Sequence, residues 1–240
     1  MIETRDLTYD VAGTMMKSRF YYDDEATSQL PGILVFPDAA GLDDVAYDNA
    51  RRLAEEGFTA LACDFYGDGR YIADPDEAIP LAKRRAKDAG LMAQAGQAAI
   101  TAISTQPEAD AAKLAAIGYC FGGNVAVEVA RSGLPIAAAA AFHGGAVAPD
   151  PERSRQITGK ILVCTGSNDP MIPISMRNAF EEDMRAADVD FRLHIYGRVY
   201  HSFTNPRAAA INRPDAVRYD KCAEERSWSE MKALLAEVFP

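Results

Sequence analysis

Cys120 sits at the centre of "GYCFGG", between an apolar run, "KLAAIGY", and a helical pattern, "GGNVAVEVARSG". Gly-x-nucleophile-x-Gly between a strand and a helix describes a nucleophile elbow, in which two backbone segments pass too close for Cβ atoms. Gly118 and Gly122 stand at the two close positions, and a strained turn lifts the central side chain clear. A helix starting beside the sulfur aims its free N–H groups and positive dipole end at it, which favours thiolate over thiol. No Lys-Ser/Thr follows the glycines, which argues against a phosphate-binding loop.

A sulfur nucleophile needs a base, and the base needs an acid to orient it. The chain has three histidines. His201 follows the strand-like "DFRLHIYG", and Asp169 closes "KILVCTGSND" just before a proline. Both therefore fall at strand ends, as Cys120 does, and the three occur in the order Cys120, Asp169, His201. Asp38, Tyr66 and His143 are also at such ends. His143, before Gly144-Gly145, reads as a hydrogen-bonded turn histidine that could also line the site. His194 alternates with Arg192 and Tyr196 along one strand face and reads as a sheet-surface residue.

The elements that must hold these residues follow from hydrophobic periodicity. "TRDLTYDV" and "MKSRFYYDD" flank a turn at Gly13 and predict an N-terminal hairpin. After Pro31 the chain alternates. Strands are expected at "ILVFP", "FTALACDFYG", "KLAAIGY", "PIAAAAAF", "KILVCTGSND" and "DFRLHIYG". Between them helices are expected from Asp43 to Glu56, as one long segment from Asp76 to Ser104, from Gly122 to Gly133, and over "SMRNAFEEDMRAAD". A last helix is expected at "AEERSWSEMKALLAEVF". Continuous apolar strands alternating with helices predict an α/β fold with a mostly parallel central sheet and helices on both faces. Ligand sites of such sheets lie beyond the carboxyl ends of the strands, where the candidate residues fall.

The 240 residues, 48% hydrophobic and 25% charged, fit a single domain over residues 1–240. A formal net charge of −10 argues against nucleic acid and anionic membranes as partners and leaves a small molecule as the expected one. Cys63, Cys120, Cys164 and Cys222 show no metal-ligand spacing, so neither metal nor cofactor is expected. Cys63 and Cys164 lie in apolar runs as core thiols. No signal segment and no membrane-length apolar run is visible, and a cytoplasmic, reduced protein is expected.

"GYCFGG", "GSNDP" and "YHSFTNP" together resemble the dienelactone hydrolase family of the α/β-hydrolase superfamily, from about Pro31 to the C-terminal helix. The resemblance implies Cys120 as nucleophile, Asp169 as orienting acid and His201 as base, with an oxyanion hole made by the backbone N–H groups of Phe121 and Ala39. It implies hydrolysis of a carboxylic ester or lactone through a cysteinyl thioester, as in carboxymethylenebutenolidase. Family lactonases carry a glutamate, in contact with the resting thiol, after the strand that reads "ILVFP" here. Asp38 stands at that place, as a shorter gate or as a turn residue. They also hold a substrate carboxylate with two arginines. Arg70 is the candidate for the first; Asn205 occupies the place of the second, with Arg198 and Arg207 as substitutes. Ser202 and Phe203, beside the histidine, complete the candidate substrate contacts. A thioesterase, a small peptidase and a non-catalytic ligand-binding relative share the fold, and a thiol redox sensor would need Cys222 as resolving partner.

Overall fold

The computed structural model describes all 240 residues. Strands β1 (Ile2–Val11) and β2 (Thr14–Asp23) form the N-terminal hairpin, paired antiparallel from Ile2–Asp23 to Val11–Thr14. Then follow β3 (Leu30–Phe36), α1 (Asp44–Glu55), β4 (Thr59–Ala62), α2 (Pro75–Arg85), α3 (Ala89–Ser104), β5 (Ala109–Tyr119) and α4 (Phe121–Arg131). The remainder is β6 (Ala138–Phe142), α5 (Pro151–Ser154), β7 (Lys160–Gly166), α6 (Ile174–Ala186), β8 (Phe191–Tyr196), a short helical turn at Ala208–Ile211, and α7 (Lys221–Val238).

All eight strands join one sheet in the order β1-β2-β4-β3-β5-β6-β7-β8. Beyond the hairpin and its antiparallel edge with β4, every pairing is parallel. Alternate residues of each central strand serve opposite faces, as the pleat requires. Leu34 and Phe36 of β3 belong to the cluster that includes residues of α2, α3, α4 and α6, whereas Ile33 and Val35 belong to the one that includes residues of α1 and α7. Strand order reverses between β3 and β5, so the loops leaving these neighbours diverge and open a crevice at their carboxyl ends. Cys120 and Ala39 sit on those two loops.

Two expectations about elements are corrected. The helix expected from Asp76 to Ser104 is two helices, because the Asp88 carboxylate accepts the Leu91 N–H and starts α3 afresh. The strand expected to run through Gly67 stops at Ala62. The Asp64 carboxylate gathers the backbone N–H groups of Lys17, Tyr66, Gly67 and Gly69, which replaces the ladder by a closed loop.

Candidate active site

β5 delivers the chain to Cys120 and α4 begins at the next residue. Cys120 has φ 52° and ψ −115°, a conformation that costs about 1–3 kcal/mol for a residue with a side chain. The elbow is as tight as its glycines suggest. A Cβ on Gly118 would lie 1.9 Å from the Gly122 carbonyl oxygen, and one on Gly122 would lie 2.2 Å from that of Phe36. The half-buried sulfur stays within reach of solvent, beside the N-terminus of α4.

Asp169 follows β7 and His201 follows β8. Their loops converge on the elbow, since β5, β6, β7 and β8 run parallel and adjacent. His201 Nε2 lies 3.1 Å from Cys120 Sγ, and its Nδ1 lies 2.8 Å from Asp169 Oδ2. Asp169 Oδ1 is occupied by the Met171 N–H at 2.8 Å, which fixes the carboxylate plane. His201 is pinned through its backbone, donating to the Ala216 carbonyl and accepting from the Arg218 N–H. Burial alone would push its imidazole down. The Cys120 sulfur, followed by the Asp169 carboxylate, outweighs burial and pushes it up to about 10.

The N–H groups of Phe121, at the start of α4, and Ala39, on the loop after β3, have no acceptor in the protein and flank the crevice. Asp38 does not reach the thiol. Its carboxylate turns back to accept the Ala40 N–H at 2.8 Å, and burial pushes it up to about 6 against the pull of that bond. The bond to the Ala40 N–H is one that a turn residue makes.

Several sequence candidates fall elsewhere. His143 is buried behind His201 rather than lining the cleft, its ring 5.1 Å from the His201 ring and its Nε2 2.8 Å from Thr204 Oγ1. Burial, then His201, pushes it well below its ordinary value. Phe203 is a core residue packed on His143 and Tyr196, fully shielded from any ligand. Ser202 is buried at φ 55°, and Asn205 is buried with its side-chain oxygen on the Arg207 N–H. Arg70 pairs with Glu77 at the surface, Arg207 pairs with Asp44, and Arg198 is exposed on the turn after β8.

Two residues that follow β4 were given no role by the sequence. Tyr66 is buried, donates its hydroxyl to the Ala39 carbonyl at 2.9 Å and stacks on Phe121. Arg85 comes off the end of α2 and holds its guanidinium 5.4 Å from the Tyr66 ring centre and 5.7 Å from that of Phe65. No motif marks it, because an arginine on a helix looks like any other. Arginine stacked on aromatic rings is a common arrangement.

Comparison with known proteins gives the family and the fold. The solved structure of m3DLH superposes with a TM-score of 0.95 at 38% identity, covering 100% of this chain and 99% of the other. P91, a dienelactone hydrolase-like promiscuous phosphotriesterase from metagenomic libraries, superposes with a TM-score of 0.94 at 37% identity, covering 100% and 99%. A relative in Saccharolobus solfataricus named "Putative carboxymethylenebutenolidase" is 26% identical over 267 residues, 93% of this chain and 99% of that one. Residues 17–239 match the dienelactone hydrolase family. This chain belongs to that family of α/β hydrolases and is a hydrolase of the same kind.

Proposed function

We propose that the protein hydrolyses a small carboxylic ester or lactone through a thioester on Cys120, with His201 as base and Asp169 as its orienting acid. The observation that carries this reading is the unbroken hydrogen-bonded line from Cys120 Sγ through His201 to Asp169, at 3.1 and 2.8 Å. Thiolate attack places negative charge on the carbonyl oxygen, which the N–H groups of Phe121 and Ala39 are free to bind. Each such donor is worth about 3 kcal/mol in comparable sites. Collapse of the intermediate expels the alcohol with a proton from His201.

Acylation then changes the base. The chief upward push on His201 comes from the Cys120 sulfur, and that push disappears once the sulfur carries an acyl group. The imidazole becomes easier to deprotonate at the step where it must take a proton from water. Asp169 holds the Nδ1 proton in place throughout. Thiolate is a better leaving group than alkoxide, so productive substrates are those whose own leaving group is good: enol esters, strained lactones, aryl esters and thioesters.

Aryl-ester turnover is the direct test. Cys120→Ala should lose at least about a thousand-fold in kcat, as removal of a nucleophile does in comparable triads; wild-type turnover in that variant would overturn the assignment. Stoichiometric acylation of Cys120 without release would instead favour a non-catalytic binding relative. A second substrate class, phosphotriesters, is favoured by the full-length similarity to P91, and a paraoxon-type triester belongs in the same panel. Arg85, which lies over the Tyr66 ring, is the candidate we name for holding a substrate carboxylate. The catalytic form is the reduced thiol, which fits a reducing, cytoplasmic setting. No helix is long and apolar enough to cross a membrane.

A further inference from the structure

The loop after β3 is held by more bonds than a surface turn needs. The peptide joining Asp38 to Ala39 has its carbonyl tied by the Gly41 N–H at 3.1 Å. Carbonyl and N–H of a trans peptide point in opposite directions, so this bond turns the Ala39 N–H the other way, where it stays free. The Asp38 carboxylate closes a second ring onto the Ala40 N–H at 2.8 Å. Gly41 itself has φ +84°, and a Cβ there would lie 2.4 Å from the Arg70 carbonyl oxygen. The Ala40 carbonyl accepts the Ile72 N–H at 2.8 Å.

One side-chain tie reaches the turn from another element. The Tyr66 hydroxyl, from the loop after β4, donates to the Ala39 carbonyl at 2.9 Å. The ring of the same residue lies nearly parallel to that of Phe121, with 8° between planes and 6.4 Å between centres. Ala39 and Phe121 carry the two N–H groups that lack acceptors. Tyr66 therefore touches both halves of the anion-binding notch, one through its oxygen and the other through its ring. Phe65 meets Phe121 edge-on at 5.1 Å and braces it from the next position.

We propose that Tyr66 is a positioning residue for acyl transfer, which fixes the spacing between the Ala39 and Phe121 N–H groups by bridging the two loops that carry them. The inference rests on the hydrolase reading above and deepens it. It assigns part of the oxyanion geometry to a side chain that contributes no atom to the triad. The hydroxyl donates to a protein carbonyl and never needs to ionise; burial pushes the phenol well above its ordinary value, which keeps it a donor.

Tyr66→Phe removes the hydroxyl and leaves the ring stack and the packing. The test compares two reactions of Cys120 in wild type and variant. Turnover of an aryl acetate builds an oxyanion, whereas alkylation by iodoacetamide displaces iodide at carbon and builds none. The expected result is a fall in kcat of about ten- to a hundred-fold, with KM within two-fold and the alkylation rate and melting temperature near wild type. Equal loss in both reactions would assign Tyr66 a general structural role and overturn the proposal, as would unchanged kcat. Wild-type protein that alkylates at Cys120 yet turns over no ester or lactone would instead overturn the hydrolase reading, and the positioning role with it.

Discussion

Sulfur, imidazole and carboxylate form one line, and each depends on its neighbour for the form it takes. His201 holds a proton far above the pH at which a free histidine would, because the Cys120 sulfur and the Asp169 carboxylate face it. Asp38 shows the opposite balance. It is half-buried, its carboxylate has one hydrogen bond, from a backbone N–H, and its value rises from 3.8 to about 6. A carboxyl group raised on folding binds more protons in the native state than in the unfolded one. Stability from Asp38 is therefore complete below pH 3.8 and is lost as pH rises through about 6. The loss is roughly 1–3 kcal/mol, toward the lower end because the residue keeps some contact with water. Asp38→Asn retains an oxygen for the Ala40 N–H and removes the charge. It is expected to raise stability by that amount at pH 8 and to match wild type at pH 4, as read from urea unfolding at the two values.

Helix α4 has a task at each end. Its N-terminus carries the elbow, and its C-terminus is fastened by a buried charge cluster. Arg131, fully buried, donates to Glu128 at 2.8 Å, to Asp183 of α6 at 2.6 Å, to Ser154 of α5 at 3.0 Å and to the Ala148 carbonyl at 2.9 Å. Arg153 pairs with the other oxygen of Glu128, so two cations face two anions. The cluster joins the helix behind the nucleophile to the helix after the acid loop. Asp183→Ala leaves the guanidinium with half of its charge partners in a dry site. It should cost about 3–5 kcal/mol, measurable by thermal or urea unfolding. The cluster lies roughly 16 Å along α4 from Cys120. Aryl-ester kcat measured well below the melting temperature should therefore stay within about two-fold of wild type.

Across the whole molecule, a single sheet links the N-terminal hairpin to β8, and its two faces are covered by helices drawn from distant parts of the chain. Residues 1–240 are expected to unfold as one domain. Far-ultraviolet circular dichroism and the fluorescence of Trp228, buried on α7 against Arg52 of α1, should give one coincident thermal transition. Separated transitions would divide the chain into more than one cooperative unit.

The element types, the elbow and the three residues of the line were legible in residue order, because each has a short-range cause. Apolar alternation marks a strand, Gly-x-Cys-x-Gly marks a close approach of backbones, and an aspartate or histidine at a strand end marks an edge of the crevice. The break at Asp88 and the early end of β4 were missed, since single carboxylates redirected the chain against its hydrophobic pattern. Side-chain direction was beyond the sequence altogether. Phe203, two residues from His201, points into the core, whereas Tyr66, far from both loops in sequence, ties them together. Spacing along a chain fixes which residues arrive at a strand end. Only packing of the two faces and the closure of neighbouring loops decides which of them turn toward the sulfur.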